Sequence, residues 1–101
     1  IPPEGIGIIL GVERLLDIAA AEMRIDRAEI RRRNLIPDDA FPFRTFIGLN
    51  YDSGRFADSQ AMALRLADWE GFAARREADA ARGKLRGIGL SNYVEVAGGM
   101  P

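Results

Sequence analysis

Apolar residues recur at spacings of three and four through the first quarter of the chain. Ile9, Val12, Leu16, Ala19 and Met23 share one face of a helix expected over residues 4–24, and Ile8 and Leu15 widen that face. Glu13, Arg14, Asp17 and Glu22 fall between them, where they would meet solvent or a polar neighbour. Pro2 and Pro3 stand where a helix can begin but not extend backwards. Gly5, Gly7 and Gly11 each weaken the helix by about 1 kcal/mol relative to alanine, a loss that close packing against another element would offset.

A second helix is predicted over 26–33, and its start is the clearest local signal in the chain. Asp26 is placed to cap it, Glu29 to complete a capping box, and Ile25 with Ile30 to form the hydrophobic staple. Arg31, Arg32 and Arg33 then occupy the last turn, where cations oppose the helix dipole. Asn34 tolerates the left-handed conformation that ends helices, and Pro37 blocks continuation. Every residue of the arginine run thus has a place at a helix end, without a phosphate or nucleic-acid ligand.

Residues 35–56 read as loop, with a short strand near 45–51 around Gly48 and a turn at Asp52-Ser53-Gly54. Phe41, Phe43, Phe46, Tyr51 and Phe56 crowd this stretch; such a cluster anchors a long loop to a core more often than it cages a ligand. A third helix over 57–66 turns Met62 and Leu66 inward. Asp68 is expected to cap a fourth helix running to residue 82, with Trp69, Phe72, Ala73, Arg76 and Ala80 as its buried stripe, Arg75, Arg76, Glu77 and Asp79 as a solvated mixed-charge surround, and Gly83 as its stop. The period then changes. Ile88, Leu90, Val94 and Val96 alternate with Gly87, Gly89, Ser91, Tyr93 and Glu95, the pattern of a β-strand over 85–97 that needs a partner. The fold class is therefore α+β, mainly helical: about four helices, a C-terminal strand and the short one near 45–51, forming a fragment of a larger domain. Val12, Leu16, Ala19, Ile30, Leu66, Trp69 and Phe72 are expected to be buried together.

Composition narrows the chemistry. With 14 Lys and Arg against 15 Asp and Glu, the chain's net charge is −1, not the basic excess of a nucleic-acid module. Cysteine and histidine are both absent, which removes disulfides, thiolate catalysis, Cys/His zinc sites and serine–histidine dyads. Ser53 consequently has no histidine to activate it. The glycine pairs in GIGIILG and RGIGLS lack the strand, G-x-G-x-x-G, helix context of a nucleotide loop. Asp38–Asp39 and Glu13–Asp17 are read as solvated carboxylate pairs. No apolar run reaches the roughly 20 residues of a membrane span.

The order of three stretches is more distinctive than any one of them. VERLLDIAAAEMRIDRAEIRRRNLI, FPFRTFIGLNYDSGRF and GKLRGIGLSNYVEVAGGMP follow one another. Together they resemble the large, molybdopterin-binding subunit of the molybdenum hydroxylases (the xanthine dehydrogenase and aldehyde oxidase family), with YDSG and the G-I-G-L…Y-V-E ending most similar to the carbon monoxide dehydrogenase branch. The resemblance implies a cytoplasmic parent oxidoreductase that hydroxylates or oxidises a small substrate with water as oxygen source. It also implies molybdenum on a molybdopterin cytosine dinucleotide, and electron exit through iron–sulfur and flavin subunits or domains. The family's active-site loop lies just before the Pro2-Pro3-Glu4-Gly5 position, and its cofactor loops and catalytic glutamate lie beyond residue 101. Residues 1–101 are thus expected to be one non-catalytic fragment of the catalytic subunit, holding no cofactor or metal. Tyr93 and Glu95 are its two candidates for the side of the strand nearer the active site, against the reading of an ordinary outward face.

The chain lacks an initial Met and stops at GGMP, so both ends are expected to be cuts through a longer protein whose remainder is the main partner. Alone, the fragment is expected to self-associate through Ile8, Ile9 and the 88–96 strand. The alternative is a free-standing helical interaction module. No nucleic acid and no membrane span enter either reading.

Overall fold

The computed structural model describes residues 3–94. Four helices and one small hairpin follow in order: α1 (Pro3–Met23), α2 (Arg27–Arg33), a 3-10 turn (Asp38–Ala40), β1 (Phe43–Arg44), β2 (Asn50–Tyr51), α3 (Phe56–Leu66) and α4 (Phe72–Ala80). The mainly helical α+β class is borne out. The described residues divide into two compact units, one containing α1, α2 and residues 89–94, the other spanning Asn34–Ile88.

In the first unit α1 packs on α2. Ala20, Ala28 and Ile30 are buried, and two of these are alanines, whose small side chains let the helices approach closely. Asp26 caps α2 as expected, accepting the Ala28 N–H at 3.0 Å. The carboxylate of Glu29, assigned to a capping box, is instead held by Arg32 and Arg33. The apolar stripe of α1 is not its inward face. Val12 is 53% exposed, and Ile8, Leu15 and Met23 are exposed with it. The inward face is Ile9, Glu13, Leu16, Asp17 and Ala20, the i, i+4, i+7, i+8, i+11 row. Periodicity identifies an apolar side but does not say which side meets the neighbour; here the neighbour is an arginine.

In the second unit β1 and β2 pair antiparallel, Phe43 with Tyr51 and Arg44 with Asn50; the single strand expected near 45–51 is instead a hairpin, with 45–49 as its turn and only Asn50 and Tyr51 of that stretch in a strand. The turn between them is tied by Thr45, whose N–H donates to the Leu49 carbonyl at 2.8 Å and whose Oγ1 accepts the Leu49 N–H at 3.0 Å. Gly48 takes φ +89° there, a value that favours glycine. The tip is apolar and open, with Phe46 fully exposed. Phe41 and Tyr51 meet the ring of Phe56 edge-on at 5.4 and 6.3 Å, so three of the five aromatics anchor the loop to α3.

Other expectations for this unit are corrected. Leu66 is 77% exposed and Met62 is exposed too, while Gln60 is the buried residue of α3. Trp69 and Phe72 are only half-buried, Ala73, Arg76 and Ala80 are exposed, and the buried residue of α4 is Asp79. Of the seven residues predicted to share a core, only Ile30 is buried. Asp68 does not cap α4. It ends α3 at φ +48° and accepts the Gly71 N–H at 3.2 Å across the corner between the helices. Residues 85–94 form no strand, because a strand exists only through a ladder and no described segment supplies one; residues 95–97 of that predicted strand lie outside the described residues.

Three helices end alike. After α1, Arg24 N–H bonds to Ala21 O at 3.2 Å and Ile25 N–H to Ala20 O at 3.0 Å; after α3, Asp68 and Trp69 do the same to Arg65 and Leu64; after α4, Gly83 and Lys84 do so to Ala80 and Asp79. Each is a Schellman motif with a left-handed residue just past the helix. Gly83 (φ +74°) suits that role as predicted, but Arg24 (φ +57°) and Asp68 do not. Among the described non-glycine residues only those two take positive φ, so Asn34 does not end α2 in this way. A left-handed non-glycine residue costs about 1–2 kcal/mol. Arg24→Gly is therefore expected to stabilise the chain by about 1 kcal/mol, read as a higher urea midpoint at unchanged slope.

Candidate functional site

The best-defined polar arrangement lies where α2 crosses α1. Arg31 is 2% exposed. Its Nε donates to Glu13 Oε2 at 2.7 Å, its Nη2 to the Glu13 carbonyl at 3.1 Å and its Nη1 to the Arg27 carbonyl at 2.9 Å. Nη1 also stands 3.0 Å from Asp17 Oδ1. That oxygen is shut off from solvent, and the contact is an ion pair without an in-line hydrogen bond. Arg27 adds a distant charge, 3.9 Å from the other Asp17 oxygen. Glu13 and Asp17, four residues apart, present both carboxylates to one guanidinium. They are not the solvated pair the sequence suggested, and Arg31 does more than oppose a helix dipole. Arg32 and Arg33 are exposed and both bind Glu29, at 2.6 and 2.8 Å. All three guanidiniums of the run are thus engaged with carboxylates.

Beside this cluster the first unit has an open cavity of about 500 Å³. Ile9, Leu10 and Leu90 give it apolar walls, and Glu13, Arg14, Asp17, Ser91 and Tyr93 give it polar ones. Tyr93, one of the two candidate residues, therefore lines a cavity; Glu95, the other, lies outside the described residues. The hydroxyls of Ser91 and Tyr93 have no histidine in the chain to act as base, and the two carboxylates are committed to Arg31. The arrangement can hold apolar matter and a few hydrogen bonds; it has no activated nucleophile.

A buried acid escaped the reading of the sequence. Asp79 is 4% exposed and binds both Arg82 and Arg86. The D-x-x-R-x-x-x-R spacing was the available signal, but Asp79 was placed on a solvated face. Of the other candidates, Asp38 and Asp39 are exposed as expected, Asp38 with only a long 3.9 Å pair to Arg55. Ser53 is exposed, and its Oγ donates one long hydrogen bond, 3.4 Å, to Asp52 Oδ1.

These pairs set a pH dependence. The bonds from Arg32, and then Arg33, hold Glu29 down to about 2 from the ordinary 4.5, and Arg86, then Arg82, lower Asp79. A carboxyl with a depressed folded-state pKa stabilises the fold above its unfolded value and loses that effect as pH falls toward the folded one. Stability is thus expected to be level from pH 7 to 5 and to fall between about pH 4.5 and 2. Urea midpoints across that range test it; Glu29→Gln should flatten part of the fall, and an unchanged slope in that variant would exclude Glu29 as its source.

The chain is 38% identical over 93 residues to the carbon monoxide dehydrogenase large chain of Hydrogenophaga pseudoflava, covering 89% of this chain and 12% of that protein. It is 32% identical over 97 residues to the nicotine 6-hydroxylase large subunit of Paenarthrobacter nicotinovorans, covering 93% and 12%. Among solved structures, quinoline 2-oxidoreductase from Pseudomonas putida 86 matches 74% of this chain and 10% of its own, with a TM-score of 0.67 and 29% identity. No family model matches. The resemblance to molybdenum hydroxylase large subunits is borne out over about nine-tenths of the chain, and the chain spans about an eighth of the length of the curated relatives it matches.

Proposed function

We propose that this chain is an internal, non-catalytic segment of the molybdenum-binding large subunit of a hydroxylase that oxidises a small substrate with water as oxygen source. The observation that carries this is the 93-residue match at 38% identity to a carbon monoxide dehydrogenase large chain, of which it forms 12%. The exposed apolar residues of α1 and of the hairpin tip agree with it, since monomeric proteins rarely leave such faces open. The parent would carry molybdenum on a molybdopterin cytosine dinucleotide and pass electrons to iron–sulfur and flavin subunits in the cytoplasm. The described side chains do not fit the metal. Among the described residues no three His, Cys, Asp or Glu gather to hold one, and Glu13 and Asp17 are held by Arg31. No catalytic step is assigned to them. No helix among the described residues is long and apolar enough to cross a membrane.

The test is to sequence the gene on both sides, express the whole reading frame, and measure molybdenum and pterin in both products. The long product is expected to bind both stoichiometrically and the 101-residue chain neither. A reading frame that starts and stops at the chain's own ends, or stoichiometric cofactor on the short chain, would overturn the proposal in favour of a free-standing interaction module.

A further inference from the structure

The outward face of α1 combines two features. Ile8, Leu15 and Ile18 are exposed on it, Leu15 by 66%, and Gly7 and Gly11, four residues apart on the same face, have nothing within 4 Å of where a Cβ would stand. Two of its carboxylates, Glu13 and Asp17, are turned the other way, toward Arg31, and Glu22 is exposed near the far end of the helix. A solvent-facing helix normally has the reverse arrangement, and two glycines inside a helix weaken it with no return unless something approaches the backbone closely. We infer that another segment of the same polypeptide, from outside residues 1–101, packs across α1 at Gly7 and Gly11 between Ile8, Leu15 and Ile18. The occupant is argued from length: relatives that match nearly the whole chain are about eight times as long, so the covering material lies in the same protein. This rests on the reading of the chain as a segment of a large subunit.

Two variants test it in two contexts. Gly11→Leu should raise the Tm of the 101-residue chain by about 4–8 °C, because the position is open and leucine is the better helix former. In the full-length protein the same change should lower Tm or abolish soluble protein, because the leucine occupies the covering segment's place. Leu15→Cys guards against a variant that simply fails to fold. Its thiol, alone in this cysteine-free chain, should be alkylated at least tenfold more slowly in the native full-length protein than in the short chain, as read by mass spectrometry of the labelled peptide. Equal alkylation rates, or a Gly11→Leu gain in both contexts, would overturn the inference while leaving the proposed function standing. A reading frame no longer than this chain would remove the occupant and overturn both.

Discussion

Arg31→Met is expected to destabilise the chain by about 3–5 kcal/mol. The methionine nearly matches the arginine stem in volume but takes from Glu13 the guanidinium that binds it and leaves Asp17 with the distant Arg27 at 3.9 Å. Removing one partner of a buried ion cluster is costly for that reason, whereas replacing the whole cluster by apolar groups is often neutral or stabilising. Two carboxylates share the one guanidinium at 2.7 and 3.0 Å, and the Glu13 and Arg27 carbonyls take two more of its N–H donors. Against a net stability of about 5–15 kcal/mol for small domains, the single change removes a large share of what holds the chain folded. Adding Glu13→Leu and Asp17→Leu should restore most of the loss, because the cavity wall beside them already contains Ile9, Leu10 and Leu90. Urea titrations followed by far-UV circular dichroism distinguish the two outcomes. A single-variant loss under about 1 kcal/mol, in the range of exposed pairs, would mean the cluster is solvated in solution.

The same cluster explains where the sequence was legible. Helix positions followed from apolar spacing, from Asp26 and from Gly83, and came within a residue or two for α1, α2 and α3. Inside and outside did not follow. Periodicity gives α1 an apolar side, but Arg31 recruits the side bearing Glu13 and Asp17, and nothing local to α1 announces that. Asp79 was lost for the same reason, since its partners Arg82 and Arg86 lie past the end of α4. The run from 85 to 94 has the alternation of a strand without a neighbour to complete it. The functional reading came from the order of motifs and from no side-chain geometry; of the two candidates on the predicted strand, Tyr93 lines the cavity, as Glu13 and Asp17 do, and Glu95 lies outside the described residues.

Gly54 is the second position where a small change should have a large effect. A Cβ there would stand 2.6 Å from Phe56 Cε1 and 2.9 Å from Phe41 Cζ. Both atoms belong to rings held edge-on to each other, and neither is the end of a flexible chain. Gly54 is not among the glycines with positive φ, so alanine meets no backbone strain and the steric contact is the whole of its cost. Overpacking of this kind costs about 1–3 kcal/mol, and Gly54→Ala is expected to fall in that range. Gly83→Ala provides the contrast: nothing lies within 4 Å of its Cβ position, and φ +74° alone opposes the change. Adding Phe41→Leu should therefore recover part of the loss in Gly54→Ala by vacating the space at Cζ, and should recover nothing in Gly83→Ala. The double-mutant cycle, read from urea midpoints, isolates the coupling. A coupling indistinguishable from zero between Gly54 and Phe41 would mean that the aromatic anchor yields without cost, and that the loop from Phe41 to Phe56 is held by the hairpin instead.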